Sequence, residues 1–116
     1  MLTSSPQVGK LYEIESYHLV VFPSRSLPSL VGIHQISRIA KDIERWAKSL
    51  SDDYGTNIRP LLAGSTFMVL QTSPVLENEM WWLRADDMFL EILTEDNIGW
   101  IYIEYWLQEY LEHKHS

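Results

Sequence analysis

Apolar and polar positions along this chain fall into short runs of two-residue period, interrupted once by a run of helical period. Gly9–Ile14 alternates Leu11 and Glu13 with Tyr12 and Ile14, the pattern of a strand buried on one face. Ser16–Phe22 carries Leu19, Val20, Val21 and Phe22 in succession and predicts a strand more buried than the first. Two prolines and two serines make Pro23–Pro28 a loop. Gly64 leads a strand over Ser65–Thr72, and Ser73–Glu79 is loop. Met80–Ala85 reads as a strand, Asp86 and Asp87 as a turn, and Met88–Leu93 as the next strand. Thr94–Asn97 then supplies turn chemistry between two apolar runs, so Met88–Leu93 and Gly99–Ile103 form a hairpin with its tip there. Trp106–His113 places Leu107, Tyr110 and Leu111 at helical spacing, which favours a short helix over a closing strand.

The helical run is Ile33–Leu50. Ile33, Ile36, Ala40, Ile43, Ala47 and Leu50 recur every three or four residues, and Ile39 and Trp46 widen the stripe. The opposite face bears Arg38, Lys41, Glu44, Arg45 and Lys48. Lys48 in the last turn suits the helix dipole, and Ser51–Gly55 ends the segment. Thr56–Ala63, with Pro60, is a connector. The pattern as a whole is mainly β with one inserted helix, packed by its apolar stripe on its own domain.

A chain of 116 residues suits one domain with one core, residues 9–116, after a flexible leader over residues 1–8. Five Trp, six Tyr and three Phe give it many large side chains for that core or for an interface. The absence of cysteine excludes disulfides, thiolate catalysis and Cys-based zinc sites. Net charge is −7 and unevenly spread. Residues 77–116 hold ten acids against Arg84 and Lys114, whereas residues 1–76 hold seven bases and six acids. This balance repels a phosphate backbone and argues against nucleic-acid binding. No apolar run approaches the roughly 20 residues of a membrane-spanning helix, and the N-terminus lacks the pattern of a secretory signal, so a cytoplasmic location is expected.

Catalytic constellations are thin. His18, His34, His113 and His115 are scattered, and His18 in an apolar strand reads as a hydrogen-bonded structural residue before a general base. A hydrolase built on His18 or His34 would need a carboxylate within about 3 Å inside a concave pocket. The acid pairs Asp52-Asp53, Asp86-Asp87 and Glu95-Asp96 sit where turns need such side chains for backbone reasons. No glycine loop for phosphate, nucleophile elbow or calcium loop is present, and no cofactor or metal is expected.

Four fragments, in order, resemble the Src-homology-3 (SH3-like) small β-barrels and their bacterial relatives. K-L-Y-E-I (Lys10–Ile14) is similar to the A-L-Y-D-Y opening, and A-G-S-T-F-M-V-L (Ala63–Leu70) to a strand entered by a Gly-led turn. E-M-W-W-L (Glu79–Leu83) resembles the family's tryptophan pair, and I-G-W-I-Y-I-E-Y-W (Ile98–Trp106) its closing G-W-[IV]-x-x-x-Y turn. The chain departs from the family where Tyr102 replaces the closing proline, where Ile14 replaces the second opening tyrosine, and in a helical insertion over about residues 30–55. The resemblance implies an SH3-like barrel that binds a peptide or partner protein without catalysis. Its groove positions correspond to Tyr12, Trp81 and Tyr105, with Tyr102 where the proline would stand. Aromatic ridges suit proline-rich ligands, and the nearby acids Glu79, Asp86, Asp87 and Glu104 favour a basic one. The alternative is a structural subunit docked permanently in a larger assembly, with a broad apolar patch exposed on the isolated chain. For Trp82 and Trp100 the expectation is core.

Overall fold

Tyr12 and Ile14 are buried and Leu11 and Glu13 only half-buried in strand β1 (Leu11–Ile14), as their alternation requires. The computed structural model describes residues 6–31, 36–95 and 97–114, and the fold built from them is mainly β. β1 is followed by β2 (His18–Val21), a short helix α1 (Leu27–Val31), the two-residue β3 (Ile36–Ser37), helix α2 (Ala40–Tyr54) and β4 (Arg59–Leu61). β5 (Phe67–Pro74), β6 (Met88–Leu93), β7 (Ile98–Ile103) and β8 (Leu111–Lys114) complete the chain, with 3₁₀ turns at Glu77–Glu79 and Tyr105–Tyr110.

Five strands form one antiparallel sheet in the order β7-β6-β5-β1-β8, and β3-β2-β4 form a second. The sheets part at a corner after β1, where Ser16 adopts a left-handed backbone (φ 70°). They meet again where Phe22 and Trp100 exchange two backbone hydrogen bonds of 2.8 and 2.7 Å. Gly99, beside that bridge, is the close-approach glycine. A Cβ on it would lie 2.9 Å from the Phe22 carbonyl oxygen and collide with Val21.

The unbroken apolar run of β2 is explained by its two neighbours. Leu19 and Val21 enter the main core with Phe67, Val69, Leu90, Ile92, Ile101 and Ile103. Val20 and Phe22 face the other way, into a second cluster with Ile43, Ala47 and Leu50 of α2. A strand sandwiched between core and helix has no polar face to present.

The helix starts later than its periodicity predicts. Ile36 and Ser37 pair with Leu19 and His18 of β2, so the backbone there is extended, and the Ser37 hydroxyl accepts the Ile39 N–H at 3.0 Å. Ile39 itself is exposed as the N-cap rather than part of the buried stripe. Ile33 and His34 lie outside the described residues. The helix also runs past Leu50 to Tyr54, where Gly55 (φ 61°) caps it by donating its N–H to Ser51. Lys48 is therefore not in the last turn. The Thr56–Ala63 connector contains β4, and Pro60 is tolerated because β4 is an edge strand.

Two further expectations change at the other end. Met80–Ala85 is not a strand. From Leu76 to Asp87 the chain forms a 3₁₀ turn and successive bends that fold back over the outer face of β6 and β7, where Val75, Leu83, Phe89 and Tyr102 make a third cluster edged by Trp82 and Trp100. Trp106–His113 divides into a 3₁₀ segment and strand β8, which pairs with β1 from Ile14–Leu111 to Leu11–Lys114 as an edge of the sheet. The hairpin tip is where its chemistry puts it. Leu93 pairs with Ile98, and Thr94 donates its N–H to the Asn97 oxygen at 2.9 Å, while Asp96 lies outside the described residues. Among the described residues no helix is long and apolar enough to cross a membrane.

Candidate interaction surface

The four groove positions separate by burial. Tyr12 and Tyr102 are 8% and 7% exposed, whereas Trp81 and Tyr105 are 69% and 58% exposed. Tyr12 packs its ring on Phe67 and His113, and its hydroxyl accepts the Gln7 N–H at 2.8 Å. It belongs to the core, away from the aromatic chain that connects Trp81 with Tyr102.

That chain runs from the surface inward. Trp81 meets Trp82 edge-to-face at 5.7 Å, Trp82 meets Tyr102 at 5.6 Å, and Tyr102 lies against Phe89 at 5.5 Å. Trp82 is fixed further by its indole N–H, which donates to the Ser29 carbonyl of α1 at 3.3 Å. Tyr102 hydrogen-bonds through its hydroxyl to the buried carboxylate of Asp87. Asp87 also accepts the backbone N–H of Arg84 at 3.1 Å and of Tyr105 at 2.8 Å. One carboxylate thus ties the bend carrying Trp81 to the 3₁₀ segment carrying Tyr105. Burial, then the hydrogen bond to Asp87, pushes the Tyr102 phenol well above the usual tyrosine range.

A second anchor holds the near side of the same bend. Arg25 donates to Ser73 Oγ at 2.6 Å, to the Pro74 carbonyl at 2.7 Å, and to both carboxylate oxygens of Glu79 at 2.8 and 2.9 Å. Its guanidinium also sits 4.3 Å from the Phe89 ring centroid. Glu79 accepts from the Ser29 hydroxyl and the Leu76 N–H besides, each at 2.9 Å. These donors, Arg25 first, lower the Glu79 carboxyl to about 2. Sequence reasoning missed this clamp, because nothing local marks Arg25 as the partner of a residue 54 positions away.

Between these anchors the bend presents Leu76, Met80 and Trp81 to solvent, with Glu77 exposed in the same stretch. Leu30, next to Ser29 on α1, is exposed as well. Asp86 and Asp87 act as turn residues, and Gln108 donates to the Asp86 carbonyl at 3.2 Å. His18 plays a structural part, its Nδ1 accepting the Ala63 N–H at 2.8 Å. Glu13 on β1, Glu15 just after it and Glu112 on β8 bring carboxylate oxygens within 4.8 Å of one another, and Lys114 enters the group with a 2.6 Å bond to Glu13. Repulsion from Glu112 raises the Glu15 carboxyl above its ordinary value. No family model matches the chain, and no curated protein or solved structure matches it at a significant level.

Proposed function

We propose that this protein is a non-enzymatic interaction module of SH3-like type that binds a basic, proline-containing peptide or partner surface through Trp81. The observation that carries the reading is the presentation of Trp81. Its large ring is mostly in water, yet it stands on Trp82, which itself packs on Tyr102, and the bend holding it is pinned by Arg25 and Asp87. A pre-organised aromatic ring loses little entropy on docking, which makes it a typical interface anchor. Glu77 and Asp86 are exposed in the same segment, and the excess of acids after residue 76 favours a cationic ligand.

The barrel reading is supported by where the four resembling fragments fall. The opening fragment lies on β1, the second reaches into β5, the tryptophan pair precedes β6, and the closing fragment spans β7. These strands are neighbours in that order, and β8 returns to β1. The groove itself is narrower than the resemblance implies, since Tyr12 and Tyr102 serve the core and leave Trp81 and Tyr105 as contact residues.

The test is a titration of arginine-containing proline-rich peptides against the protein, followed by calorimetry and, in the unsubstituted chain, by the indole N–H resonance of Trp81. Binding should weaken by more than about 1 kcal/mol in Trp81→Ala and with added salt. The melting temperature should stay nearly unchanged. Peptides that leave the Trp81 resonance unmoved, or that bind Trp81→Ala as tightly, would overturn the reading.

A further inference from the structure

Tyr17, Trp106 and Tyr110 form a second aromatic group, separate from the Trp81 surface and sharing none of its residues. The corner after β1 supplies Tyr17, and the 3₁₀ segment before β8 supplies the other two. Tyr17 and Trp106 have centroids 5.2 Å apart at 74°, Tyr17 and Tyr110 5.0 Å apart at 79°, and Trp106 and Tyr110 6.1 Å apart at 82°. All three planes are close to mutually perpendicular. The separations of 5.0–6.1 Å are those of edge-to-face ring pairs, and they also bracket the roughly 5.7 Å that three perpendicular rings show when each turns its face to one cation about 4 Å away.

Two further observations concern charge. The group already holds a cation. The Arg38 guanidinium lies 4.9 Å from the Tyr17 ring centroid and donates to the Tyr17 hydroxyl at 2.8 Å. In a chain of sixteen acids, the partners of Arg38 among the described residues are the ring and hydroxyl of a tyrosine. The Trp106 indole N–H is bonded to the Glu104 carboxylate, which orients that ring and adds negative charge at the rim. Trp106 and Arg38 are exposed, whereas Tyr17 and Tyr110 are half-buried against the main core, so the group opens to solvent on its Trp106 and Arg38 side.

We propose that this aromatic corner is a binding site for a trimethylammonium group, borne by a small molecule or by a methylated lysine side chain, with Arg38 as the resident competitor. A trimethylammonium ion is weakly hydrated and spreads its charge over methyl groups. It therefore gains more from perpendicular ring faces than a well-hydrated ammonium does. Arg38 covers one face of Tyr17, and an incoming cation displaces it into water at little cost because the side chain is exposed.

The experiment uses the full chain and follows the Trp106 indole N–H resonance. Choline, a peptide carrying trimethyllysine, and 3,3-dimethyl-1-butanol, the neutral isostere of choline, are titrated in turn. The expected result is a saturable shift with choline or with the peptide, and at least tenfold weaker binding of the isostere. Response to choline identifies a free small cation as sufficient, and response to the peptide alone identifies a protein-borne one. Arg38→Gln should tighten binding several-fold, and Trp81→Ala should leave it unchanged. The proposal is overturned if neither cation shifts the resonance, if the isostere binds equally, or if Arg38→Gln weakens binding. Trp106→Ala, followed by titration calorimetry because it lacks the indole probe, should lose choline and peptide binding, and should that variant fail to fold, the isostere and Arg38→Gln comparisons decide the matter alone.

Discussion

The phenol of Tyr102 on β7 donates its hydrogen to the carboxylate of Asp87, fifteen residues earlier in the turn before β6, and both groups are buried. A residue at a groove position of the SH3 resemblance thus serves to fasten the bend that displays Trp81.

Asp87→Ala would leave the Tyr102 hydroxyl and the N–H groups of Arg84 and Tyr105 without their acceptor, and should cost about 3 kcal/mol in urea unfolding. Tyr102→Phe should cost about 1.5–3 kcal/mol, because a buried carboxylate loses a donor. A loss below about 0.5 kcal/mol in both variants would show the contact to be incidental.

The same bond makes a prediction at alkaline pH. The folded protein holds the Tyr102 proton more tightly than the unfolded chain does. Stability from this group is complete below the ordinary tyrosine value of 10.0 and falls as pH rises beyond it. Tyr102→Phe should flatten that alkaline decline, as read by melting temperature against pH.

Glu79 gives the opposite sign. Its carboxyl is lowered to about 2 in the fold, so its contribution is complete above the ordinary value of 4.5 and is lost as pH falls towards 2. Glu79→Gln should remove much of the acid sensitivity between those values. Arg25→Leu, which strands the carboxylate and two further acceptors, Ser73 Oγ and the Pro74 carbonyl, should cost about 2–3 kcal/mol at neutral pH. An unaltered acid limb in both variants would deny the clamp its role.

Gly99→Ala should destabilise the protein by about 1–3 kcal/mol, since the added carbon meets the Phe22 carbonyl and Val21 where β2 bridges to β7. Backbone cannot yield as a flexible side chain can. The measured quantity is the midpoint of thermal or urea unfolding, and an unchanged midpoint would mean the two sheets do not meet as described.

Ile43→Ala should cost about 2–5 kcal/mol, whereas Ile39→Ala should be nearly neutral, although both belong to the same helical stripe in the sequence. Amide exchange should agree, with slow exchange in the middle of α2 and fast exchange at Ile39. Equal losses from the two substitutions would place the helix start earlier than Ala40.

What the sequence by itself determined is whatever rests on neighbouring residues. Alternation marked β1, a continuous apolar run marked the well-buried β2, and Asp and Asn chemistry marked the Thr94–Asn97 tip. These signals act over a few residues and survive any tertiary context. The rest was decided by partners distant in the chain. Ile36 fits a helical stripe, yet it is extended because β2 offers it a pairing edge. Met80–Leu83 has strand composition, yet its tryptophans are more favourably placed covering Phe89 and Tyr102 than in a ladder. The candidate surface divides along the same line. The aromatic residues were visible as candidates, but Tyr12 and Tyr102 became core and Trp81 became surface only through packing, because a ring's side of the sheet depends on what covers it. Arg25 with Glu79, Tyr102 with Asp87, and Tyr17 with Arg38 are separated by 54, 15 and 21 residues, and no local pattern specifies such pairs.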